Sequence, residues 1–549
     1  MLRVVTVLCL LLAVPVLCVL GAWLAFDAAS LETLRHQWRT VLPEYLWNTG
    51  RLALGVGFGV ALLGGATAAA VTLFDFPLRR QFEWALLLPL AMPAYVLAYA
   101  YTDFLQFSGP LQTALRDAIG AQRALWPDVR SLPGATVLFV LCLYPYVYLL
   151  ARAALGERAV PLMEAARLLG AGSVRRVRAV ALPLARPALA AGVALALMET
   201  LADYGVVSYF GVPTVTTGIY RAWLGMDDRI AASQLASILL AGVALLMWFE
   251  RRAQRRLRFA PARRGAAHGA EARPIRLQGA GAALAFGLCL LPVLLGFVLP
   301  VLVLLRLVAQ EMQAAGGLAF AGWPRFLHWG WTSLHLALTA SVAAVALSLA
   351  LAFANRAQAG ASLRVATRVV SLGYAVPGAV IAVGILLPVG WLQQVAPGAG
   401  TTALVTGTTF GLLYAYLVRF SAASFQSIEA GYARLPASVD EAARTLGTSR
   451  WRMFVELHAP LLRRPALAAA LLVFVDVMKE LPATLLLRPF DSDTLAVVAY
   501  QLARDERLGE AALPSIAIVV VGLIPVLLLS AAIRGSPAPS QASLLPANA

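Results

Sequence analysis

Apolar runs of about 20 residues, the length that crosses a bilayer as a helix, recur along the whole chain. A lipid core offers the backbone no hydrogen-bond partners, so a segment that spans it must be a helix or part of a closed barrel. The runs are continuously apolar, which favours helices. With 60% hydrophobic and 13% charged residues, the 549-residue chain has too little polar surface for a soluble protein. The sequence therefore predicts an all-α, polytopic membrane helical bundle.

Twelve spans are predicted in two sets of six. The first set lies near 4–24, 49–74, 84–106, 133–155, 187–210 and 232–249. The second set lies near 279–309, 333–355, 367–391, 402–421, 465–488 and 513–533. The N-terminal run is longer than a signal-peptide core and no clean cleavage site follows, so a retained first span is expected. An even number of spans in each half predicts two parallel six-span repeats, related by an axis along the membrane normal.

These spans divide the chain into four parts: a first repeat at 1–249, a basic linker at 250–278, a second repeat at 279–535 and a tail at 536–549. Arginines cluster in the loops at 158–183 and 434–460, which places both loops in the cytoplasm by the positive-inside rule. The net charge of +16 is explained by these loops and by a linker near anionic lipid heads, without nucleic acid.

The four cysteines have neither metal-ligand spacing nor a disulfide pattern. They are Cys9, Cys18, Cys142 and Cys289, and each lies in an apolar run. We interpret all four as small hydrophobic residues of the spans.

One polar phrase occurs twice. EAARLLG runs from Glu164 to Gly170. A near copy, EAARTLG, lies 277 residues later and runs from Glu441 to Gly447. A proline follows each glutamate by nineteen residues, at Pro183 and at Pro460. A loop that only had to be soluble would not repeat an acid, a glycine and a proline at fixed spacing, so the repeat indicates a function.

Each phrase also predicts a helix–turn–helix. Gly170 and Gly447 suit a left-handed cap at the end of the first helix. Pro161 opens that helix in the first copy, and a Ser438–Glu441 capping box opens it in the second. In the first copy Ser173 can cap a second short helix that runs to Leu182, and in the other copy Thr448 or Ser449 can cap the helix that follows.

The pattern E-A-A-x3-G with a late L-P or A-P resembles the coupling loop of ATP-binding-cassette importer permeases. The resemblance implies that each loop docks on an ATPase subunit and transmits its closure to the spans. The implied docking residues are Glu164, Ala165, Ala166, Gly170, Pro183, Glu441, Ala442, Ala443, Gly447 and Pro460. Two loops in one chain imply a fused permease of the bacterial inner membrane that contacts two copies of a cytoplasmic ATPase and a periplasmic substrate-binding protein.

The chain itself is not expected to hydrolyse ATP. A P-loop needs a lysine after a glycine-rich turn, and the only lysine, Lys479, follows no such turn. The ATP and the magnesium ion are therefore expected on the partner ATPase. No cofactor or metal site is predicted in this chain.

Charged side chains inside spans are costly and are candidates for a translocation pathway. The candidates are Glu199, Asp203, Tyr204, Asp476, Lys479 and Glu480. Glu199 and Asp203 are four residues apart, which predicts one helix face, and Asp476 can likewise share a face with Lys479 or Glu480. Pro482 would bend or end the second of these helices. Pairing of these charges with each other, as Lys479 beside Glu480 allows, is the alternative to a contact with substrate.

The substrate is suggested by longer stretches. METLADYGVVSYFGVPTVTTGIYRAW and DVMKELPATLLLRPFDSDTLAVVAYQLARDERLGEAALPS look like the fused permeases of ferric-iron importers. That resemblance implies iron(III), while related permeases carry thiamine, polyamines or sulfate. Two other classes are weighed against an importer permease. Twelve spans in two parallel halves also fit an ion-driven secondary transporter, whereas a membrane-embedded enzyme has no paired catalytic motif to support it.

Overall fold

The computed structural model describes residues 2–24, 27–156, 160–258, 274–314, 322–357, 367, 370, 373–396, 398 and 400–534. The side chains of residues 2–6, 160–161, 164, 173–174, 253–258 and 529–534 lie outside that description. The described chain is almost entirely helical, as the apolar runs predict.

The first half contains thirteen α-helices. They are α1 (Leu2–Gly21), α2 (Ala28–Thr40), α3 (Leu42–Leu73), α4 (Arg79–Ala85), α5 (Ala94–Leu105), α6 (Pro110–Ile119), α7 (Leu132–Ala154), α8 (Val160–Leu168), α9 (Ser173–Arg176), α10 (Leu182–Ala202), α11 (Gly205–Tyr209), α12 (Val215–Tyr220) and α13 (Arg229–Arg258). A 3-10 turn at Leu88–Ala91 precedes α5, and a π-helical turn at Val177–Ala181 joins α9 to α10.

The second half repeats this order. It contains α14 (Ala280–Val293), α15 (Leu299–Ala314), α16 (Trp323–Ala357), α17 (Gly378–Val395), α18 (Thr401–Thr406), α19 (Phe410–Tyr432), α20 (Ala437–Thr445), α21 (Arg450–Arg452), α22 (Ala459–Leu461), α23 (Arg463–Met478), α24 (Pro482–Leu487), α25 (Leu495–Arg504) and α26 (Leu508–Arg534). A 3-10 turn at Gly373–Ala375 precedes α17, and a π-helical turn at Met453–His458 follows α21. In the described part of each half, a 3-10 turn therefore precedes a proline-capped helix, and a π-helical turn lies within about ten residues of the end of the polar phrase.

Eight of the described helices are long and apolar enough to cross a membrane, or nine if the bent pair Arg79–Ala91 and Ala94–Ile119 is one span. Twelve spans were predicted, and the four that are not among these eight lie near 4–24, 84–106, 402–421 and 465–488. The predicted span at 84–106 bends by 90°. The predicted spans at 187–210 and 465–488 end at Ala202 and Met478, and a short helix follows each end. Hydropathy averaged over a span does not register these breaks, although Asp203 directly follows Ala202 and Lys479 directly follows Met478.

The two halves exchange their first helices. Helix α1 packs on α17 of the second half, where a Cβ at Gly384 would lie 2.1 Å from the Pro15 carbonyl oxygen. In the opposite sense, the α14–α15 segment packs on the first half, and the Tyr101 hydroxyl donates to the Leu295 carbonyl oxygen at 2.6 Å. This exchange ties the halves together along both outer flanks.

Within the first half, α7 is the central helix and packs on both α3 and α10. Glycines permit the close approach: a Cβ at Gly64 would lie 2.7 Å from the Tyr144 carbonyl oxygen, and one at Gly192 would lie 2.6 Å from the Val147 Cα. Small residues let membrane helices approach each other closely, and dispersion contacts then stabilise the pair.

The predicted basic linker at 250–278 starts with a helical segment. Helix α13 continues to Arg258, past the predicted span end at 249, so the first basic residues of the linker are helical. Residues 259–273 lie outside the described chain. Beyond them, strand β2 (Ile275–Arg276) pairs in parallel with β1 (Phe74–Asp75) and attaches the start of the second half to the end of α3.

Candidate functional site

Both polar phrases form the same helix ending. At the end of α8, the Gly170 N–H donates to the Arg167 carbonyl at 2.9 Å, and the Ala171 N–H donates to the Ala166 carbonyl at 3.0 Å. At the end of α20, Gly447 and Thr448 repeat these bonds to Arg444 and Ala443, at 3.0 and 3.1 Å. These are the two hydrogen bonds of a Schellman cap.

The glycines have the backbone that such a cap requires. Gly170 has φ +79° and Gly447 has φ +73°, so the predicted left-handed caps are confirmed. Nothing lies within 4 Å of a Cβ placed at either glycine, so both turns face open space.

Two details of the predicted loops are wrong. Ser438 does not cap α20, because the helix begins at Ala437 and Pro436 holds the cap position without a side-chain hydrogen bond. The second helix of the first loop does not end near Leu182 but continues through a π-helical turn into α10. Ser449 does cap α21, since its side chain accepts from the Arg452 N–H. Arg158 and the side chains of Pro161, Glu164 and Ser173 lie outside the described residues.

Exposed leucines mark both turns. Leu169 is 88% exposed and Leu446 is 84% exposed, and the two residues occupy corresponding positions directly before the glycines. Ala165 and Ala442 are also exposed, whereas Ala166 and Ala443 are half-buried. Pro183 lies in the first turn of α10 and Pro460 in α22. These two leucines were not predicted, although an apolar residue directly before each repeated glycine was a usable signal in the sequence.

The second loop carries an ionic anchor at Asp440. The Arg356 guanidinium donates to both Asp440 carboxylate oxygens, from Nε at 2.7 Å and from Nη2 at 3.2 Å. His458 Nε2 lies 3.1 Å from Asp440 Oδ1, and His458 Nδ1 lies 3.3 Å from the Tyr432 hydroxyl. Burial alone would raise the pKa of Asp440, but the hydrogen bonds from Arg356 and His458 outweigh it and hold that pKa below its ordinary value.

The corresponding position of the first loop is apolar. Met163 precedes Glu164 as Asp440 precedes Glu441, and Met163 is buried. The two loops therefore share one turn geometry but are attached to the spans by different forces.

A cavity of about 860 Å³ lies between the halves. Four carboxylates, two cationic side chains and several phenols are among its lining residues: Glu199, Asp203, Asp476 and Glu480, then Arg419 and Lys479, then Tyr95, Tyr146 and Tyr374. The structure thus brings five of the six predicted pathway residues together. The sixth, Tyr204, lies beside the cavity and stacks on Tyr220, with ring centroids 3.7 Å apart.

The charges pair only partly as predicted, since Asp476 does share a face with Lys479. Asp203 does not share a helix face with Glu199, because α10 ends at Ala202 and Asp203 has an extended backbone. Its Oδ1 accepts from the Val206 N–H at 2.9 Å, which satisfies the first turn of α11. Lys479 does not neutralise Glu480 but pairs with Asp476, Nζ to Oδ1, at 2.9 Å.

Glu480 pairs instead with Arg419, Nη1 to Oε1, at 3.1 Å. Its two oxygens also accept from the Ala483 and Thr484 N–H groups at 2.9 Å, at the start of α24, where Pro482 lies in the first turn. Gly378 leaves room for the pair, since a Cβ there would lie 2.8 Å from both Arg419 Nη1 and Glu480 Oε1. Arg419 was not among the predicted pathway residues, although an arginine inside the apolar run at 402–421 was a usable signal.

Tyrosines close one side of the cavity. Tyr95 lines the cavity and contacts Tyr99, which meets Tyr209 edge-on at a centroid distance of 4.8 Å. Arg130 lies over the Tyr209 ring and donates to its hydroxyl at 3.1 Å. Near the cavity, three tyrosine hydroxyls bond across the halves: Tyr500 to the Ser208 hydroxyl, Tyr220 to the Pro482 carbonyl and Tyr95 to the Lys479 carbonyl. We call this cluster the tyrosine layer: Tyr95, Tyr99, Tyr204, Tyr209, Tyr220 and Tyr500.

A wide groove lies beyond this tyrosine layer, at Arg130 just before the start of α7, whose other end leads to the first polar phrase. It has a volume of about 1230 Å³ and is lined by charged residues that include Asp103, Asp117, Arg130, Arg306 and Glu506. Helix α5 runs from the cavity at Tyr95 to the groove at Asp103, a rise of about 12 Å over eight residues. Cavity, tyrosine layer and groove thus follow one another along a single axis between the halves.

Comparison with known proteins identifies the architecture. The family model described as "Binding-protein-dependent transport system inner membrane component" matches residues 61–259 and 344–535, which is one match in each half. The chain belongs to this family. It is therefore a multi-pass inner-membrane permease of the ATP-binding-cassette importer class, with the repeat fused into one polypeptide.

Individual relatives are also transport permeases. The permease is 24% identical to the "Fe(3+)-transport system permease protein FbpB 2" of Haemophilus influenzae, over 95% of this chain and 97% of that protein. It is 28% identical to a "Putative 2-aminoethylphosphonate transport system permease protein PhnU" of Salmonella choleraesuis, over 38% of this chain and 74% of that protein. A "PhnV" protein of Salmonella typhimurium is 30% identical over 22% of this chain and 45% of its own length.

Proposed function

We propose that this permease imports iron(III), which a periplasmic binding protein delivers at the groove. The central cavity carries the proposal, because its lining holds four carboxylates against two cationic side chains. An excess of negative charge in a partly dehydrated cavity attracts cations. The end-to-end similarity to an Fe(3+) permease supports the same substrate.

The membrane arrangement that fits this function has twelve spans in two parallel halves, at 1–249 and 279–535, with a linker at 250–278 and a tail at 536–549. Beside the eight long apolar helices, α1, α19 and the broken segments α4–α5 and α23–α24 then count as spans, and the breaks after α10 and within these two segments lie at the cavity. Irregular backbone at membrane depth is tolerated where it lines a polar cavity, which is where these breaks lie.

Energy comes from two copies of a separate ATPase, one on each coupling loop. The exposed leucines at the two equivalent turns supply apolar contacts for such a subunit, and the alanines beside them allow a close approach. ATP and magnesium belong to that partner, and this chain contributes the docking residues Glu164, Ala165, Ala166, Gly170 and Pro183 with their counterparts Glu441, Ala442, Ala443, Gly447 and Pro460.

The tyrosine layer acts as the outer gate of the pathway. It separates the groove from the cavity, and its hydrogen bonds join one half to the other. When the ATPases close and the halves rock, these bonds break and the groove becomes continuous with the cavity.

Other substrates are weighed by charge. Thiamine and polyamines are cations and remain alternatives, whereas a phosphonate is anionic and is disfavoured by the excess of carboxylates. An ion-driven secondary transporter would need no coupling loops, and the family match argues for the ATP-driven class.

The test is uptake by vesicles that contain the permease, its ATPase and its binding protein. Labelled ferric iron should accumulate only with ATP, and an excess of thiamine, spermidine or 2-aminoethylphosphonate should not compete. Uptake of one of these solutes in place of iron would refute the substrate, and iron uptake driven by an ion gradient without ATP would refute the mechanism.

A further inference from the structure

The four carboxylates of the cavity differ in their hydrogen-bond and ion-pair partners. Asp203 and Glu480 occupy corresponding positions, and each accepts backbone N–H groups at the start of a short helix. Glu480 is also held by Arg419. These two acids are therefore committed to keeping α11 and α24 in place.

The other two carboxylates have few partners. Glu199 and Asp476 also correspond, 277 residues apart, and both line the cavity. Glu199 is half-buried and makes no hydrogen bond or ion pair with the described residues. Asp476 is 7% exposed, and its Oδ2 is buried without a hydrogen-bond partner among them. A buried carboxylate oxygen without a partner is costly, so it points to a ligand that completes it.

The single lysine of the chain lies beside this pair. Lys479 Nζ is 2.9 Å from Asp476 Oδ1, and its side chain is 32% exposed, so the ammonium can leave the carboxylate without unfolding the site. Among the residues that line the cavity, Lys479 is the cation left for Glu199 and Asp476 once Arg419 is paired with Glu480.

We propose that Glu199 and Asp476, one from each half, form a transient site for a multivalent metal cation, with Lys479 as the resident counter-ion that the cation displaces from Asp476. This inference rests on the proposed function and names the residues that handle its substrate. At equal distance a trivalent ion attracts a carboxylate roughly three times as strongly as an ammonium does, so the exchange favours the arriving metal.

The proposed site is expected to bind a cation only weakly. No three His, Cys, Asp or Glu side chains of the described chain lie close enough together to hold a metal ion. A cation between Glu199 and Asp476 therefore keeps its other ligands, such as water, hydroxide or a small chelator. A pathway needs such weak binding, because an ion that is held tightly is not released. When the halves rock apart, the two carboxylates separate, and Lys479 returns to Asp476.

The single lysine makes the exchange observable. Reductive methylation with isotope-labelled formaldehyde places one NMR-active probe on Lys479, separate from the chain's terminal amine, and leaves the ammonium charged. The methylated permease, with its ATPase subunits in nanodiscs, is titrated with ferric citrate, with gallium citrate and with citrate alone. Paramagnetic ferric iron should broaden the Lys479 signal, and diamagnetic gallium should shift it without broadening. Citrate alone should do neither.

Variants assign the residues. Glu199→Gln and Asp476→Asn should weaken both responses by roughly tenfold or more, since each removes one of two attracting charges. Asp203→Asn is the matched comparison: it removes an equal charge from the same cavity, but its amide oxygen can still accept from the Val206 N–H, and the metal response should fall by clearly less than in the two site variants. If Asp203→Asn abolishes the response as fully as Asp476→Asn does, the assignment to the Glu199–Asp476 pair is wrong.

Failure of this inference is distinguishable from failure of the proposed function. The same preparation is assayed for uptake of iron delivered by the binding protein. If the Lys479 signal is unchanged in a preparation that transports iron, the proposal that Lys479 is the resident counter-ion is wrong. Absence of iron uptake in a preparation that hydrolyses ATP overturns the proposed substrate instead.

Discussion

The hydroxyl oxygens of Ser208 and Tyr500 lie 2.8 Å apart, and they belong to opposite halves of the permease. Tyr500 also contacts Tyr204, at a centroid distance of 5.7 Å, so this hydrogen bond lies within the tyrosine layer. The bond joins α11 of one half to α25 of the other, where the proposed gate must open.

Tyr500→Phe should loosen the outer gate. One neutral hydrogen bond contributes about 1 kcal/mol, which corresponds to roughly a fivefold shift toward the open state. ATP hydrolysis without the binding protein should rise by a similar factor, because the ATPases close more readily on a permease that opens more readily. Tyr101→Phe is the control, since it deletes a hydroxyl that bonds the exchanged helix and lies outside the layer. An equal rise in both variants would contradict the gate.

Asp440→Asn should loosen the second coupling loop. Hydrogen bonds to charged groups contribute about 1.5–3 kcal/mol, and this variant weakens those from Arg356 and His458. We expect a lower thermal unfolding midpoint and weaker stimulation of the ATPase by the loaded binding protein. Glu456→Gln is the matched control on the same loop, because its ion pair with Arg452 is exposed and worth about 0–1 kcal/mol.

The same anchor predicts a pH dependence. The pKa of Asp440 is lower in the folded protein, so its stabilising contribution is complete above the ordinary pKa of about 3.9. It is lost as the pH falls through the lower, folded value. The stability difference between wild type and Asp440→Asn should therefore stay constant between about pH 5 and 8 as far as Asp440 is concerned, and shrink only in stronger acid. A difference that disappears near neutral pH would contradict this role.

Gly447→Val should reduce transport while expression persists. A side chain at φ +73° costs about 1–2 kcal/mol, and the Cβ points into open space, where we propose that the ATPase docks. Gly447→Asn should retain more activity, since asparagine tolerates this backbone. Gly120→Val, at φ +69° with open space around its Cβ, imposes the same strain far from the coupling loops and should transport normally. Equal loss in the Gly120 and Gly447 variants would indicate strain rather than docking.

Leu169→Asp and Leu446→Asp should each weaken assembly with the ATPase. Burial of a leucine contributes about 1.5–3 kcal/mol, so each change should reduce the association constant by at least tenfold in a binding assay. Leu168→Thr should bind normally, because Thr445 occupies the corresponding position in the second loop. Unequal losses for Leu169 and Leu446 would show that the two loops, which are anchored differently, also dock differently.

The sequence by itself determined the helical membrane class, the two-fold repeat and the geometry of both turns. These follow from local physics: apolar length decides a span, and a glycine that follows a repeated phrase decides a left-handed cap. Five of the six cavity charges were also identified, because ionisable residues inside apolar runs stand out from their neighbours.

Only the tertiary structure decided which charge pairs with which. Lys479 is adjacent to Glu480 in sequence but bonds Asp476, and Glu480 bonds Arg419 from another helix. Helix ends at Ala202 and Met478 place Asp203 and Glu480 in capping positions, and charged residues in an apolar run do not by themselves show where the helix stops. The exchange of first helices and the tyrosine layer likewise depend on contacts between residues hundreds of positions apart, where local preference carries no information.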